Sequence, residues 1–158
     1  MAISVRPAVA ADFPAIIPLI KQMHSEHAAA RPDRFLLEGP TYTKKDFAKA
    51  LRDSSQTWLV AVDESDQMLG YALCARSKWN ASILCTDEIC VDKAHRRQGI
   101  GTLLMDAAKE LASRIGASSL ELEVWEATPA PIQFYECYGM TVQRRRMELP
   151  ISKQGCDE

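Results

Sequence analysis

Cys90-Val91-Asp92-Lys93-Ala94-His95-Arg96-Arg97-Gln98-Gly99-Ile100-Gly101-Thr102-Leu103-Leu104 is the stretch on which the reading of this chain turns. It begins inside an apolar strand, Glu88-Ile89-Cys90-Val91, passes through a basic turn with two glycines, and continues as a helix. Apolar residues at Ile100, Leu104, Ala107, Ala108, Leu111 and Ile115 recur with a period of about 3.6 residues, and Gly116 marks the stop. A strand that turns through glycines into a helix N-terminus is a ready anion site. The first helical turn offers unpaired N–H groups and the positive end of the helix dipole. Gly99 and Gly101 carry no side chains, so a phosphate could reach the backbone, and Arg96 and Arg97 add charge beside it.

Two common phosphate motifs are excluded. The dinucleotide fingerprint requires a third glycine, and the P-loop requires Gly-Lys followed by Ser or Thr; both are absent. What remains is Arg-x-x-Gly-x-Gly, from Arg96 to Gly101.

Working outward, the preceding chain supplies a short strand, Ile3–Arg6, and two helices. Asp12 is placed to cap the first, whose apolar face includes Phe13, Ile16, Ile17, Ile20 and Met23; Pro18 inside it predicts a kink or break. His24 and His27 follow, then a polar loop, Arg31 to Phe35. The histidines are three apart, but no third ligand stands near them, so no metal is expected and they read as surface or substrate-facing groups. Thr43 caps the second helix, with Asp46 completing a capping box only approximately. Thr57–Val62 and Met68–Ala75 form a hairpin around an acidic turn, and Ser82–Val91 is the next strand. Beyond the glycine helix, Ser119–Trp125 alternates strictly, predicting that Leu120, Leu122 and Val124 share a buried face. Strand, helix, strand implies a parallel pair. A last helix begins near Thr128 and Pro129, carries Phe134, Tyr135 and Tyr138, and ends at Gly139. Met140–Val142 and Met147–Leu149 are expected to form a final strand or hairpin, and Gln154–Glu158 a polar tail. The sum is one domain over residues 1–158, with an ordered core over about 3–150 and a tail over 151–158. It is a mixed α/β sheet with helices on both faces.

Composition sets limits. The 158 residues are 47% hydrophobic and 25% charged, with net charge −2, so nothing points to nucleic acid. No signal peptide or membrane-spanning run stands out, and a cytoplasmic protein without a membrane partner is expected. The five cysteines are odd in number and fit no metal spacing, which suits free thiols in a reducing compartment.

Two motifs together resemble a known family. Arg96–Gly101 is similar to the acyl-CoA signature of the GCN5-related N-acetyltransferase (GNAT) family. Ile132-Gln133-Phe134-Tyr135-Glu136-Cys137-Tyr138-Gly139-Met140 resembles that family's aromatic-Tyr-Glu-x-x-Gly-aromatic helix ending, with Met140 in place of the aromatic. Thr128 stands where the family often has asparagine, and Pro131 where it has alanine. The resemblance covers essentially the whole chain. It implies the GNAT fold, a mostly antiparallel sheet whose parallel strand pair splays apart. It further implies acetyl-CoA as co-substrate. Backbone N–H groups of Gln98, Gly99, Ile100, Gly101 and Thr102 would bind the pyrophosphate, Arg96 and Arg97 would flank it, and main-chain groups of Ile89, Cys90 and Val91 would pair with the pantetheine arm like an added strand. The acceptor would be the primary amine of a small molecule or peptide. A homodimer is compatible with the family.

Acetyl transfer needs a base to free the amine lone pair and a donor for the departing thiolate. Asp87 and Glu88 are adjacent on one strand and so are expected to point to opposite faces, leaving only one toward the acceptor. The family places an acid at either position; Glu88 is preferred here as the base. Tyr135 matches the family's tyrosine and is the expected acid. Cys90 and Cys137 raise a covalent route, but neither has a recognisable base partner. Two alternatives stay open: a non-catalytic acyl-CoA-binding module and a phosphate-binding regulatory domain.

Overall fold

The computed structural model describes residues 2–36, 38 and 42–151. Five strands, β1 (Ser4–Pro7), β2 (Gln56–Val62), β3 (Met68–Arg76), β4 (Ile83–Val91) and β5 (Ser119–Glu121), form one sheet in chain order. The first three pairings are antiparallel and β4–β5 is parallel. Helices α1 (Phe13–Ala30) and α2 (Lys44–Arg52) cover one face, α3 (Ile100–Arg114) covers the other, and α4 (Pro129–Tyr138) follows β5. The expected mixed sheet with helices on both faces is therefore present.

Each face has its own core. Ile100, Leu104, Ala108 and Leu111 of α3 pack on Leu59, Ala61, Ala72 and Leu84, which is the stripe the helical period predicts. On the opposite face Ile16, Leu19, Ile20 and Phe47 meet Trp58, Val60, Tyr71 and Cys90. This packing explains why α1 runs unbroken through Pro18. The proline costs about 3 kcal/mol, while burying each large apolar side chain contributes about 1.5–3 kcal/mol, and Ile16, Leu19 and Ile20 lie on both sides of it.

Local expectations fare unevenly. Thr43 and Asp46 form a full reciprocal capping box: the Asp46 N–H donates to Thr43 Oγ1 at 3.1 Å, and the Thr43 N–H donates to Asp46 Oδ2 at 3.0 Å. Asp12 does not cap α1 with its side chain. Its carboxylate instead accepts the Val9 N–H and both Arg6 nitrogens, at 2.8, 2.8 and 2.9 Å, and the guanidinium holds that carboxyl below the usual carboxylate range. The expected final strand does not form. Residues 140–151 hold no strand, and Val142, Met147 and Leu149 are 70%, 91% and 83% exposed. The run Arg144-Arg145-Arg146 interrupts the alternation that would define a buried face, and ion pairs hold the segment instead, Arg144 to Glu123 and Glu148 to Arg31 and Arg34. Except for Ile151, the predicted tail lies outside the described residues, as does Cys156.

The feature that shapes the site is how little of β4 is paired to β5. Only Ile83, Leu84 and Cys85 have partners there, opposite Ser119, Leu120 and Glu121, so the alternating run to Trp125 leaves the ladder early. From Thr86 to Val91 the β4 edge is open, and the parallel pair splays. A bulge sits at the same place. Leu73 pairs with Glu88 and Cys74 with Thr86, so Asp87 has no partner on β3.

Candidate active site

The bulge revises one expectation. Leu84 and Ile89 both pack against the α3 side, although five residues separate them and strict alternation forbids that. Asp87 and Glu88 together occupy the skipped interval, so strict alternation does not apply to them. Their surroundings differ instead. Asp87 is exposed, near Lys78 and Glu123, and partial burial raises its carboxyl above the usual range. Glu88 is half-buried under α1 and α2, and its Oε2 accepts the Tyr71 hydroxyl at 2.7 Å. Burial pushes the Glu88 carboxyl up, against the opposing pull of that hydrogen bond. A carboxylate of raised basicity, with Oε1 unbonded among the described residues, is suited to accept a proton.

The basic turn has the geometry of an anion cradle. Arg97 adopts φ +65° and Gly99 φ +80°, which folds the chain so that α3 starts at Ile100. The first backbone bond of the helix is Leu103 N–H to the Gly99 carbonyl, at 3.0 Å. The N–H groups of Gln98, Gly99, Ile100, Gly101 and Thr102 donate to no backbone carbonyl among the described residues. Five free donors thus cluster at one helix N-terminus.

The two arginines have different situations. Arg96 donates from Nε to the Val91 carbonyl at 3.3 Å and from its terminal nitrogen to both Glu26 oxygens, at 2.7 and 3.0 Å. Arg97 is exposed and makes no ion pair among the described residues. Gln22, one turn before Glu26 on α1, donates to the Val91 carbonyl and accepts the Lys93 N–H, at 3.0 and 3.1 Å. The first helix therefore clamps the turn. Sequence reasoning missed Gln22 and Glu26 as partners of this turn; their i, i+4 spacing was the only available signal.

Gly101 also has a packing role beside the one expected. A Cβ there would lie 3.1 Å from the ring of Phe134 on α4, so the glycine lets α4 close onto the start of α3. Tyr135 is the next residue on α4. Tyr135 is 9% exposed, its ring lies edge-on to Phe134, and its hydroxyl has no partner among the described residues. Burial pushes its phenol up to about 12, so it stays protonated at neutral pH. Tyr138, the rival donor, is committed to Asp106 Oδ1 at 2.6 Å.

The phase of the open edge follows from one bond. The Asp92 N–H donates to the Leu69 carbonyl on β3, so Cys90 turns its main-chain groups toward β3 while Ile89 and Val91 turn theirs to the open side. Near the end of α1, Phe35 packs against His27 and, edge-on, against Trp125, with ring centroids 5.1 and 5.5 Å apart, and Arg31 lies 5.3 Å over the Trp125 ring. Burial lowers the His27 pKa, favouring its neutral form. Among the described residues no cluster of three metal-ligating side chains occurs, and no helix is long and apolar enough to cross a membrane.

Comparison with known proteins decides the family. Residues 20–140 match the family described as the Acetyltransferase (GNAT) family. This chain belongs to that family. A relative, the streptothricin acetyltransferase of Streptomyces lavendulae, is 34% identical over 87 residues, 55% of this chain and 46% of that protein. The chain thus matches under half the length of that relative. A variant of the BH1408 protein of Bacillus halodurans superposes with a TM-score of 0.85 at 27% identity, covering 94% of this chain and 99% of the other. An aminoglycoside acetyltransferase from an uncultured soil metagenomic sample, solved with sisomicin, shares the fold at a TM-score of 0.71 and 16% identity, covering 96% and 97%. The GNAT fold, with its splayed parallel strands, agrees with these neighbours.

Proposed function

We propose that this chain transfers the acetyl group of acetyl-CoA directly to a primary amine. The observation that carries the reading is the run of five unpaired N–H donors, Gln98 to Thr102, beside an open β4 edge. The donors would hold a pyrophosphate, and Arg97 would meet its charge. The Ile89 main chain and the Val91 N–H would pair with an extended amide-bearing arm as a neighbouring strand does. Glu88 would take one proton from the acceptor ammonium, directly or through water. The freed nitrogen then forms its bond to the thioester carbon and sheds its second proton to solvent as the carbon–sulfur bond breaks, and Tyr135 gives the leaving sulfur a proton that it regains from solvent. Neither Cys90, whose buried thiol is pushed up to about 12, nor Cys137 is required. The resemblance to a streptothricin acetyltransferase makes streptothricin the first acceptor to test.

Thiol release from acetyl-CoA tests the reading. Release is expected to depend on an amine when streptothricin, aminoglycosides, polyamines and lysine peptides are offered in turn. Tight CoA binding with no thiol release from any of them would favour a binding module without turnover.

The arginines give a sharper check on the cradle. Arg97→Ala is expected to weaken CoA binding by about ten- to a hundredfold, the scale of one charge-assisted hydrogen bond, while leaving pantetheine binding nearly unchanged. Arg96→Ala should weaken both ligands by similar small factors, because Arg96 is spent on Glu26 and the Val91 carbonyl. Calorimetry with the two ligands separates the cases; a CoA-selective loss in Arg96→Ala would reverse the assignment.

A further inference from the structure

We propose that Tyr71 is a positioning residue for acetyl transfer: it holds Oε2 of Glu88 so that Oε1 alone faces the acceptor amine. The inference rests on the reading of Glu88 as the base. Tyr71 lies on β3 opposite Cys90, diagonal to Glu88, whose own partner is Leu73. The two side chains therefore stand on one sheet face at the distance where long side chains meet. The Tyr71 hydroxyl reaches Oε2 at 2.7 Å; its other neighbour, Met23 Sδ at 3.8 Å, is a weak acceptor. One phenol carries one proton, so the carboxylate takes it.

The setting is rigid. Tyr71 is 0% exposed, and the Trp58 indole stacks on it with centroids 5.8 Å apart and planes 22° from parallel. A phenylalanine would fill that space equally well, so packing does not explain the hydroxyl. Its one strong partner is Glu88, and among the described residues nothing else hydrogen-bonds that carboxylate. The other titratable groups near Glu88 and Tyr71 are Tyr42 ahead of α2, Asp87 on the bulge and Cys90 further along β4. All are acids, and none supplies a cation. Tyr71 is thus the group that keeps a half-buried carboxylate ionised and aimed. It remains a donor throughout, since burial and the nearby Glu88 charge hold its phenol far above the usual range.

The sign follows from the bond. A hydrogen bond from a neutral donor is stronger to the carboxylate than to the carboxylic acid, so it lowers the Glu88 pKa against the effect of burial. In Tyr71→Phe the Glu88 carboxyl, followed by carbon-13 NMR of labelled glutamate without amine present, should titrate about one pH unit higher than in the parent protein. The acid limb of kcat/KM should move up by the same amount. Below that limb activity should fall about tenfold, while above it the loss should be only a few-fold and fall mainly on kcat. In a Glu88→Gln background, Tyr71→Phe should change kcat/KM no further. An unmoved Glu88 titration in a folded Tyr71→Phe protein would overturn the role of Tyr71. Full activity in Glu88→Gln would instead remove the base on which it rests. A Tyr71→Phe effect that persists undiminished in the Glu88→Gln background would show that Tyr71 acts on packing alone.

Discussion

Tyr135→Phe is expected to lower kcat by about ten- to a thousandfold while leaving the Kd for acetyl-CoA nearly unchanged. The change removes one oxygen from a ring that is already packed against Phe134, so the fold and the Phe134–Gly101 contact should survive. That oxygen has no partner among the described residues, so no structural hydrogen bond is lost with it. An interaction made only as the thiolate departs would disappear, and such a loss appears in kcat and kcat/KM together. Since burial holds the phenol near 12, its ionisation lies above the working range, and Tyr135 should impose no alkaline limb below about pH 11. Tyr138→Phe is the control. It breaks the bond to Asp106 and should cost thermal stability but little turnover. Steady-state kinetics and calorimetry on both variants decide between them: full turnover in Tyr135→Phe alongside a large loss in Tyr138→Phe would move the donor one helical turn.

Glu88→Gln is expected to reduce kcat/KM by about a hundred- to a thousandfold and to flatten its pH dependence. A base works ionised, so in the parent enzyme the rate falls as pH drops through the Glu88 pKa, which burial holds above the ordinary glutamate range. Removing the carboxylate removes that limb. Asp87→Asn should have a much smaller effect, because Asp87 is exposed and lacks the hydrogen bond that Tyr71 gives Glu88. Equal losses in the two variants would mean that the acids act jointly. Stability should respond with a matching sign. A carboxyl whose folded pKa is raised contributes most at low pH, and that contribution is lost as pH rises through the folded value. Glu88→Gln should therefore melt progressively higher than the parent as pH rises from the ordinary glutamate range toward neutrality.

The fold was legible wherever a feature depends on neighbours in sequence. The α3 stripe, the strand-turn-helix at Val91–Ile100, the hairpin around Asp63–Gln67 and the Thr43–Asp46 box all rest on patterns local in sequence, and all are found. What escaped depends on register or on contacts distant in sequence. Strict alternation at Asp87 and Glu88 presumed an unbroken register, and the bulge that leaves Asp87 unpaired interrupts it. The packing of Gly101 against Phe134, thirty-three positions on, could not be read beside its expected opening for phosphate. Arg96 and Arg97 look alike in a string, but Glu26 engages only one of them. The bond from Tyr71 to Glu88 joins two strands and could not be drawn before their pairing was known. The last strand failed because the run Arg144-Arg145-Arg146 breaks the alternation between Val142 and Met147, and ion pairs hold that segment instead.

The three residue pairs that join β4 to β5 have a consequence for energetics. Strands with few ladder bonds open locally at lower free energy than the centre of a sheet, here β2 and β3. A molecule that paired with the β4 edge would bind only the state in which these strands are formed. It would raise the opening free energy by RT ln(1 + [L]/Kd), about 2.7 kcal/mol at one hundred times its Kd. Amide exchange and resistance to proteolysis in this half of the sheet would then follow the supply of acyl donor, and the half-life of the polypeptide would carry a record of the metabolic state around it.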